Sequence, residues 1–365
     1  MGGGTAGHLF PSVAVAQRLV DDMGAEVLFI GAEGRLDGRI LSEQGMAFEL
    51  IPARPFPYGV SLAAARAMWA LYRSIRRCRK ILREFRPDVA FGSGGYVSVA
   101  GVIAASQLGI PSVCHASDAQ PDRANRLLAR WATRITTHFE VAAASFAPEK
   151  TTVVGQPVRK AFAKITREDA RAALGIPWDA FVLLVSGGSQ GARTLNHATA
   201  GALGNILEDP ATHVVHFTGA LDIDEVQART AGVVGRERYH CQEFCETPWI
   251  PIAAADLCLT RGGASSVAEV SLLGVPMIIV PYPYAAAHQK LNAEPFAQAG
   301  AALVIDNADL TADRLALEVE RLRSSPETLR RMSDAARSVS RPDAADRIAA
   351  IIAELAGTTV NREWG

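Results

Sequence analysis

The chain has 365 residues, 49% of them apolar and 21% charged, and a formal net charge of −1. It is too apolar for a disordered chain and too long for a single core, so two globular domains are expected. No apolar run approaches the ~20 residues of a membrane-spanning helix, and no basic segment leads into an apolar one as in a secretory leader.

The first eleven residues read MGGGTAGHLFP. Glycine turns of this kind follow a strand and open a helix, yet almost nothing precedes these glycines. Short continuous apolar runs predict strands at 26–31, 47–52, 88–92, 111–115 and 134–138 in the first half. Between the second and third lies a long amphipathic segment, 61–85. Leu62, Ala65, Trp69, Tyr72, Ile75, Cys78, Leu82 and Phe85 recur every three or four residues, and eight Arg and Lys between Arg66 and Arg86 crowd the rest. That pattern predicts a sheet-covering helix with a basic face. Each surface cation is worth about 1 kcal/mol beside anionic lipid, so a membrane surface is a candidate partner. Nucleic acid is not expected, because no stacking platform or known binding motif accompanies the charge. Residues 1–155 carry 17 Lys and Arg against 13 Asp and Glu, whereas the remainder carries 20 against 25.

In the second half, strands are predicted at 152–155, 181–186, 213–218, 238–244, 256–260 and 276–282, with the break between halves near VVGQPVRKAF. Short β-branched runs alternating with helices imply parallel strands buried on both faces, hence a doubly wound α/β sheet in each half. Five cysteines, an odd number, suit reduced thiols. Cys241 and Cys245 lack a second pair, which argues against zinc.

Three motifs carry chemistry. SGGSQGARTLN follows the strand FVLLVS, and its glycines allow a tight turn ahead of a helix whose positive end suits phosphate. It is neither a dinucleotide fingerprint nor a P-loop, and a plain strand-to-helix turn would read the same. TRGGASSVAEVSLLGVP reads as strand, glycine turn and helix; Ser265 and Ser266 can cap the helix or touch a phosphate. Glu269, one turn in, can accept two bonds from a ribose diol or simply complement the helix dipole. PYPYAAAHQKLNAEPF places His288, Gln289 and Asn292 at a helix start, where amides recognise sugar hydroxyls or cap the helix.

Together and in order, GGGTAGHLFPSVAVAQRL, FGSGGYVSVAGVIAASQLGIPSV, SGGSQGARTLN, RGGASSVAEVSLLGVPMIIVPYPYAAAHQKLNAEPF and AGAALVI resemble the MurG family over nearly the whole chain. The resemblance implies a GT-B fold, two Rossmann-like doubly wound domains facing across a cleft. It places the first domain at 1–157, the nucleotide-sugar domain at 158–340 and a C-terminal helix at 341–365 that packs back on the first. It implies inverting transfer of N-acetylglucosamine from UDP-N-acetylglucosamine to undecaprenyl-diphospho-muramoylpentapeptide, by a peripheral enzyme on the cytoplasmic face of the inner membrane. No cofactor or obligatory metal is implied. Carried over by position, Arg159, Ser189, Cys245, Ala264, Ser265, Ser266, Val267, Ala268, Glu269 and Gln289 would hold the donor. Thr5, Ala6 and Gly7 would close over the diphosphate, and His8 would be the general base.

The departures are informative. Ala6 replaces a glycine of the usual GGTGGH, and its Cβ narrows the space for a phosphate. Asp118, at a donor-contacting position, replaces an asparagine; it removes an amide donor and adds a negative charge. Gln156 replaces the asparagine of GNPVR. Family members carry a strand before the glycines, so the first sheet is expected to lack a central strand, with the start of the natural chain lying upstream. Two rivals are a related transferase with another sugar or acceptor, and a catalytically impaired scaffold.

Overall fold

A computed structural model describes residues 1–2, 6–34, 37–53, 62–283 and 288–357, and not the side chains of residues 6, 8 and 62–65. Residues 1–159 and 341–365 form one compact unit, and residues 160–340 form a second.

The first unit runs α1 (Ala6–Met23), β1 (Leu28–Ala32), β2 (Ala47–Ile51), α2 (Leu62–Phe85), β3 (Ala90–Gly92), α3 (Gly95–Gln107), β4 (Ser112–Ala116), β5 (Arg134–Thr137) and β6 (Thr151–Val153). Every strand pairing is parallel. β1 and β2 form one pair, and β3-β4-β5-β6 form a separate four-stranded sheet. Met1 lies beside β3: its ammonium donates to the Phe91 carbonyl at 2.6 Å, and its own carbonyl accepts from the Ser93 amide at 3.0 Å. Its side chain packs in the cluster that joins Ile30 of β1 to Ala90 of β3. A Cβ at Gly101 would lie 1.8 Å from the Met1 sulfur, so a side chain there would displace Met1 from this place. The run 152–155, expected in the second half, is instead β6 and pairs with β5. The Val154 and Gly155 amides both donate to the Thr137 carbonyl, which fastens the run to the first sheet.

The second unit contains β7 (Phe181–Ser186), α4 (Arg193–Ile206), β8 (Thr212–Phe217), β9 (Tyr239–Gln242), β10 (Leu257–Thr260), α5 (Ala264–Leu272), β11 (Met277–Ile279), α6 (His288–Gln298) and β12 (Ala302–Val304). Its single parallel sheet has the order β12-β11-β10-β7-β8-β9. The strands β10 and β11 are buried along their whole length, as continuous apolar runs under helices on both faces must be. The strand β12 was not foreseen. It is three small or branched residues, Ala-Leu-Val, just after the Gly300 turn.

The chain returns to the first unit as α7 (Ala344–Leu355). There Ile348 and Ile352 pack with Val15 of α1, and Arg18 of α1 meets Asp346 at 2.8 Å.

Candidate active site

In an open parallel sheet, ligands bind beyond the carboxyl ends of the strands, where the strand order reverses. In the second unit that reversal falls between β7 and β10, because β8 and β9 extend to one side and β11 and β12 to the other. The two glycine motifs lie at this point, one leaving each strand.

The turn after β7 is held by close backbone packing. Gly191 has φ +74°, and a Cβ there would sit 1.9 Å from the Thr218 carbonyl oxygen. Beneath it, Asn196 of α4 donates from Nδ2 to the Thr218 carbonyl and to Asp222, each at 2.8 Å. Its Oδ1 is therefore left to accept from His216 Nε2 at 3.0 Å, and His216 Nδ1 accepts from the Tyr239 hydroxyl at 2.7 Å. The network fixes His216 as the neutral Nε2–H tautomer. Burial pushes its pKa down to about 3. Ser189 sits exposed at the tip of this turn. Asn196 lies inside the quoted motif, yet only the structure shows it as the turn's anchor.

The turn after β10 leads into α5, whose N-cap is Gly263, without a side-chain cap. Neither Ser265 nor Ser266 caps the helix, contrary to one sequence reading, because both stand inside its first turn. Ala264, Val267 and Ala268 are buried, and Ser265, Ser266 and Glu269 are half-buried.

Gln289, the first-turn residue of α6, uses its Oε1 to accept from the Gly262 amide at 3.1 Å and the Tyr282 amide at 2.9 Å. Asn292, fully buried, donates to the Gly262 carbonyl at 3.0 Å. Asn292 therefore shapes the turn, and its amide does not face outward. Gln289 offers only its NH₂ group beyond those bonds. Arg261, which sequence reading passed over, is buried; it donates to the Val280 carbonyl at 3.0 Å and Asn307 at 2.7 Å. It ties the segment after β11 to the same edge. Cys245 is half-buried in the turn after β9, with its Sγ 4.0 Å from the Thr247 hydroxyl. The four segments of the second unit that carry expected donor positions, at Ser189, Cys245, Ala264 to Glu269 and Gln289, thus stand at one edge of one sheet.

Arg159 belongs to the first unit. It is 5% exposed, and its guanidinium carbon lies 4.0 Å from the centre of the Phe10 ring. Gly7 and His8 stand in the first turn of α1, with Phe10 just beyond. Thr5 and the side chains of Ala6 and His8 lie outside the described residues. Asp118 is half-buried, two residues past β4.

A second feature lies on α2. Trp69 and Tyr72, expected on the stripe that covers the sheet, are instead 62% and 49% exposed, beside exposed Met68. Ala67, Leu71, Ser74, Cys78, Ile81 and Leu82 turn inward along the helix, so its inward stripe is offset from Trp69 and Tyr72. The rings of Trp69 and Tyr72 stack at 5.5 Å, and Arg76 lies 5.9 Å from the Tyr72 ring centre. An open groove of about 830 Å³ follows, lined by Tyr72, Arg76, Arg79, Lys80 and Arg83 among others. The Arg79 Nε is buried there without a hydrogen-bond partner. No helix among the described residues is long and apolar enough to cross a membrane.

Two parallel α/β units, with glycine turns at a carboxyl edge of the second, correspond to the two domains of a glycosyltransferase. Residues 1–137 match the glycosyltransferase family 28 N-terminal domain, and 182–348 match the family 28 C-terminal domain. A relative from Syntrophotalea carbinolica is 38% identical over 359 residues, covering 98% of both chains, and one from Desulfitobacterium hafniense is 35% identical over 361 residues, covering 97% of this chain and 98% of that one. Both are named UDP-N-acetylglucosamine–N-acetylmuramyl-(pentapeptide) pyrophosphoryl-undecaprenol N-acetylglucosamine transferase. The crystal structure of Acinetobacter baumannii MurG superposes with a TM-score of 0.73 at 26% identity, covering 97% of each chain. UDP-GlcNAc 2-epimerase from Neisseria meningitidis, at 15% identity and a TM-score of 0.71, shares the fold. The chain belongs to the MurG family.

Proposed function

We propose that this enzyme transfers N-acetylglucosamine, with inversion, from UDP-N-acetylglucosamine to the muramoyl 4-hydroxyl of undecaprenyl-diphospho-muramoylpentapeptide. The observation that carries the reading is the convergence of Ser189, Cys245, Ala264 to Glu269 and Gln289 at one carboxyl edge of the second unit's sheet. There, backbone N–H groups of the turn after β7 and the N-terminus of α5 meet the diphosphate. Glu269 accepts from the ribose diol, and the Gln289 NH₂ donates to the sugar. His8 takes the proton from the acceptor 4-hydroxyl as that oxygen attacks the anomeric carbon. The C1–O bond to UDP breaks through an oxocarbenium-like state, and the leaving charge falls on those N–H groups and Arg159.

The acceptor is a lipid, and the exposed Trp69–Tyr72 pair with the cation-lined groove of α2 supports docking on the surface of an anionic membrane. The proposed location is the cytoplasmic face of the inner membrane, with the enzyme held as a peripheral protein. Sedimentation with vesicles of neutral and anionic lipid tests the docking: anionic vesicles should retain the enzyme, less so at high salt, and Trp69→Ala with Arg76→Gln should release it. Equal retention by neutral vesicles would contradict the electrostatic part.

A second reading, a transferase for another sugar, draws on Asp118 alone. Assaying a panel of UDP-sugars with the muramoyl acceptor separates the two. Fastest turnover with N-acetylglucosamine supports the first reading, and preference for another sugar supports the second.

A further inference from the structure

The segment Gly155–Arg159, which leads out of the first unit, is fastened at three points. At its start, Gly155 has φ +95°, and a Cβ there would lie 2.5 Å from Cβ of Arg341, so no side chain fits. Next, Gln156 reaches the interior. Its Oε1 lies 3.1 Å from His115 Nε2, and His115 Nδ1 lies 3.1 Å from the Thr136 hydroxyl. All three residues are buried. A carboxamide oxygen only accepts, so His115 carries its proton on Nε2. At the far end, the buried Arg159 guanidinium covers the Phe10 ring. A desolvated cation over a ring is a directional contact, which an aliphatic side chain of equal bulk does not reproduce. Phe10 is two residues beyond His8, near the start of α1.

We propose that Phe10, through Arg159, and Gln156, through His115, are positioning residues for the transfer reaction. The clamp sets the start of α1, and with it the backbone that carries His8, against the ends of β4 and β5. Gln156 is the residue that departs from the family's asparagine, and its Oε1 is the atom that meets His115. The inference rests on the reading of His8 as base, but it can fail separately.

The test is steady-state kinetics on the full chain, with UDP affinity by calorimetry and melting temperature measured beside it. Phe10→Leu keeps apolar bulk and loses the ring face. It should lower kcat about ten- to a hundredfold, as small misplacements of a reacting group do, while UDP affinity, which Arg159 shares with the second unit's segments, falls by a smaller factor than kcat. Phe10→Tyr should restore kcat. Gln156→Asn, one methylene short, should behave as Gln156→Ala does. Phe10→Leu combined with Arg159→Lys should be no slower than the slower single variant. Full kcat in Phe10→Leu, or a loss that Phe10→Tyr fails to restore, overturns the proposal. So does a loss that tracks the melting temperature across all variants. If His8→Ala is inactive while Phe10→Leu is fully active, the clamp alone falls. If His8→Ala remains active, the base reading falls and takes the clamp with it.

Discussion

His8 and Glu269 separate the two halves of the proposed chemistry. Replacing His8 by Ala should abolish turnover and leave UDP affinity nearly intact, because most of the proposed donor residues are carried by the second unit. A parallel loss of both in calorimetry and rate assays would make His8 a donor ligand or a structural residue. Glu269→Ala should weaken UDP binding by about 1.5–3 kcal/mol, the range for a hydrogen bond to a charged group. Unchanged affinity would remove Glu269 from the site. Asp118 tests the opposite sign. A carboxylate about 6 Å from a phosphate charge costs about 3 kcal/mol at an effective dielectric near 20, before salt reduces it. Asp118→Asn should therefore strengthen donor binding, with the gain shrinking as salt rises. Weaker binding would mean that Asp118 accepts from the sugar's hydroxyls.

At the scale of elements, the second unit depends on a buried network that also sets its glycine turn. His216 is neutral in the fold, with its pKa pushed down to about 3 by burial, whereas in the unfolded chain it titrates near 6.5. Between those values the unfolded chain binds the additional proton, so this term lowers stability as pH falls from about 6.5 toward 3. His216→Gln should flatten that part of the profile measured by chemical denaturation, and an unchanged slope would show that His216 does not supply it. Gly191→Ala faces a positive φ and the Thr218 carbonyl together, and should cost about 2–3 kcal/mol while also lowering UDP affinity. Much of this unit was legible in the sequence. FVLLVS and PMIIVPY are continuous apolar runs, and each glycine turn follows a strand. What was not legible depends on contacts distant in sequence. Asn196, His216 and Tyr239 come from α4, β8 and β9 and meet only after the sheet forms. Likewise, the Gln289 Oε1 binds two backbone amides that no local pattern reveals. Periodicity put Trp69 and Tyr72 inside, because Ala67, Leu71 and Ser74 form an equally spaced stripe beside theirs and it is that stripe which turns inward.

At the scale of the molecule, the proposed roles divide between two α/β units, with His8 at the start of α1 in one and most of the proposed donor segments at a sheet edge in the other. The glycine motifs, their order and the strand pattern made that division readable; the pairing of β6 with β5 was not, since the strand pattern counted that run with the second half while the domain boundary at 157 kept it in the first. The central claim is the transfer itself, and the most direct measurement is the product. The enzyme is incubated with UDP-N-acetylglucosamine and the lipid-linked muramoylpentapeptide, and the new anomeric centre is read by proton NMR after release from the lipid. One UDP should be released per disaccharide formed, with a bond to the muramoyl 4-oxygen and a β-anomeric coupling. An α-linked product, UDP release without disaccharide, or no reaction with this pair would contradict it.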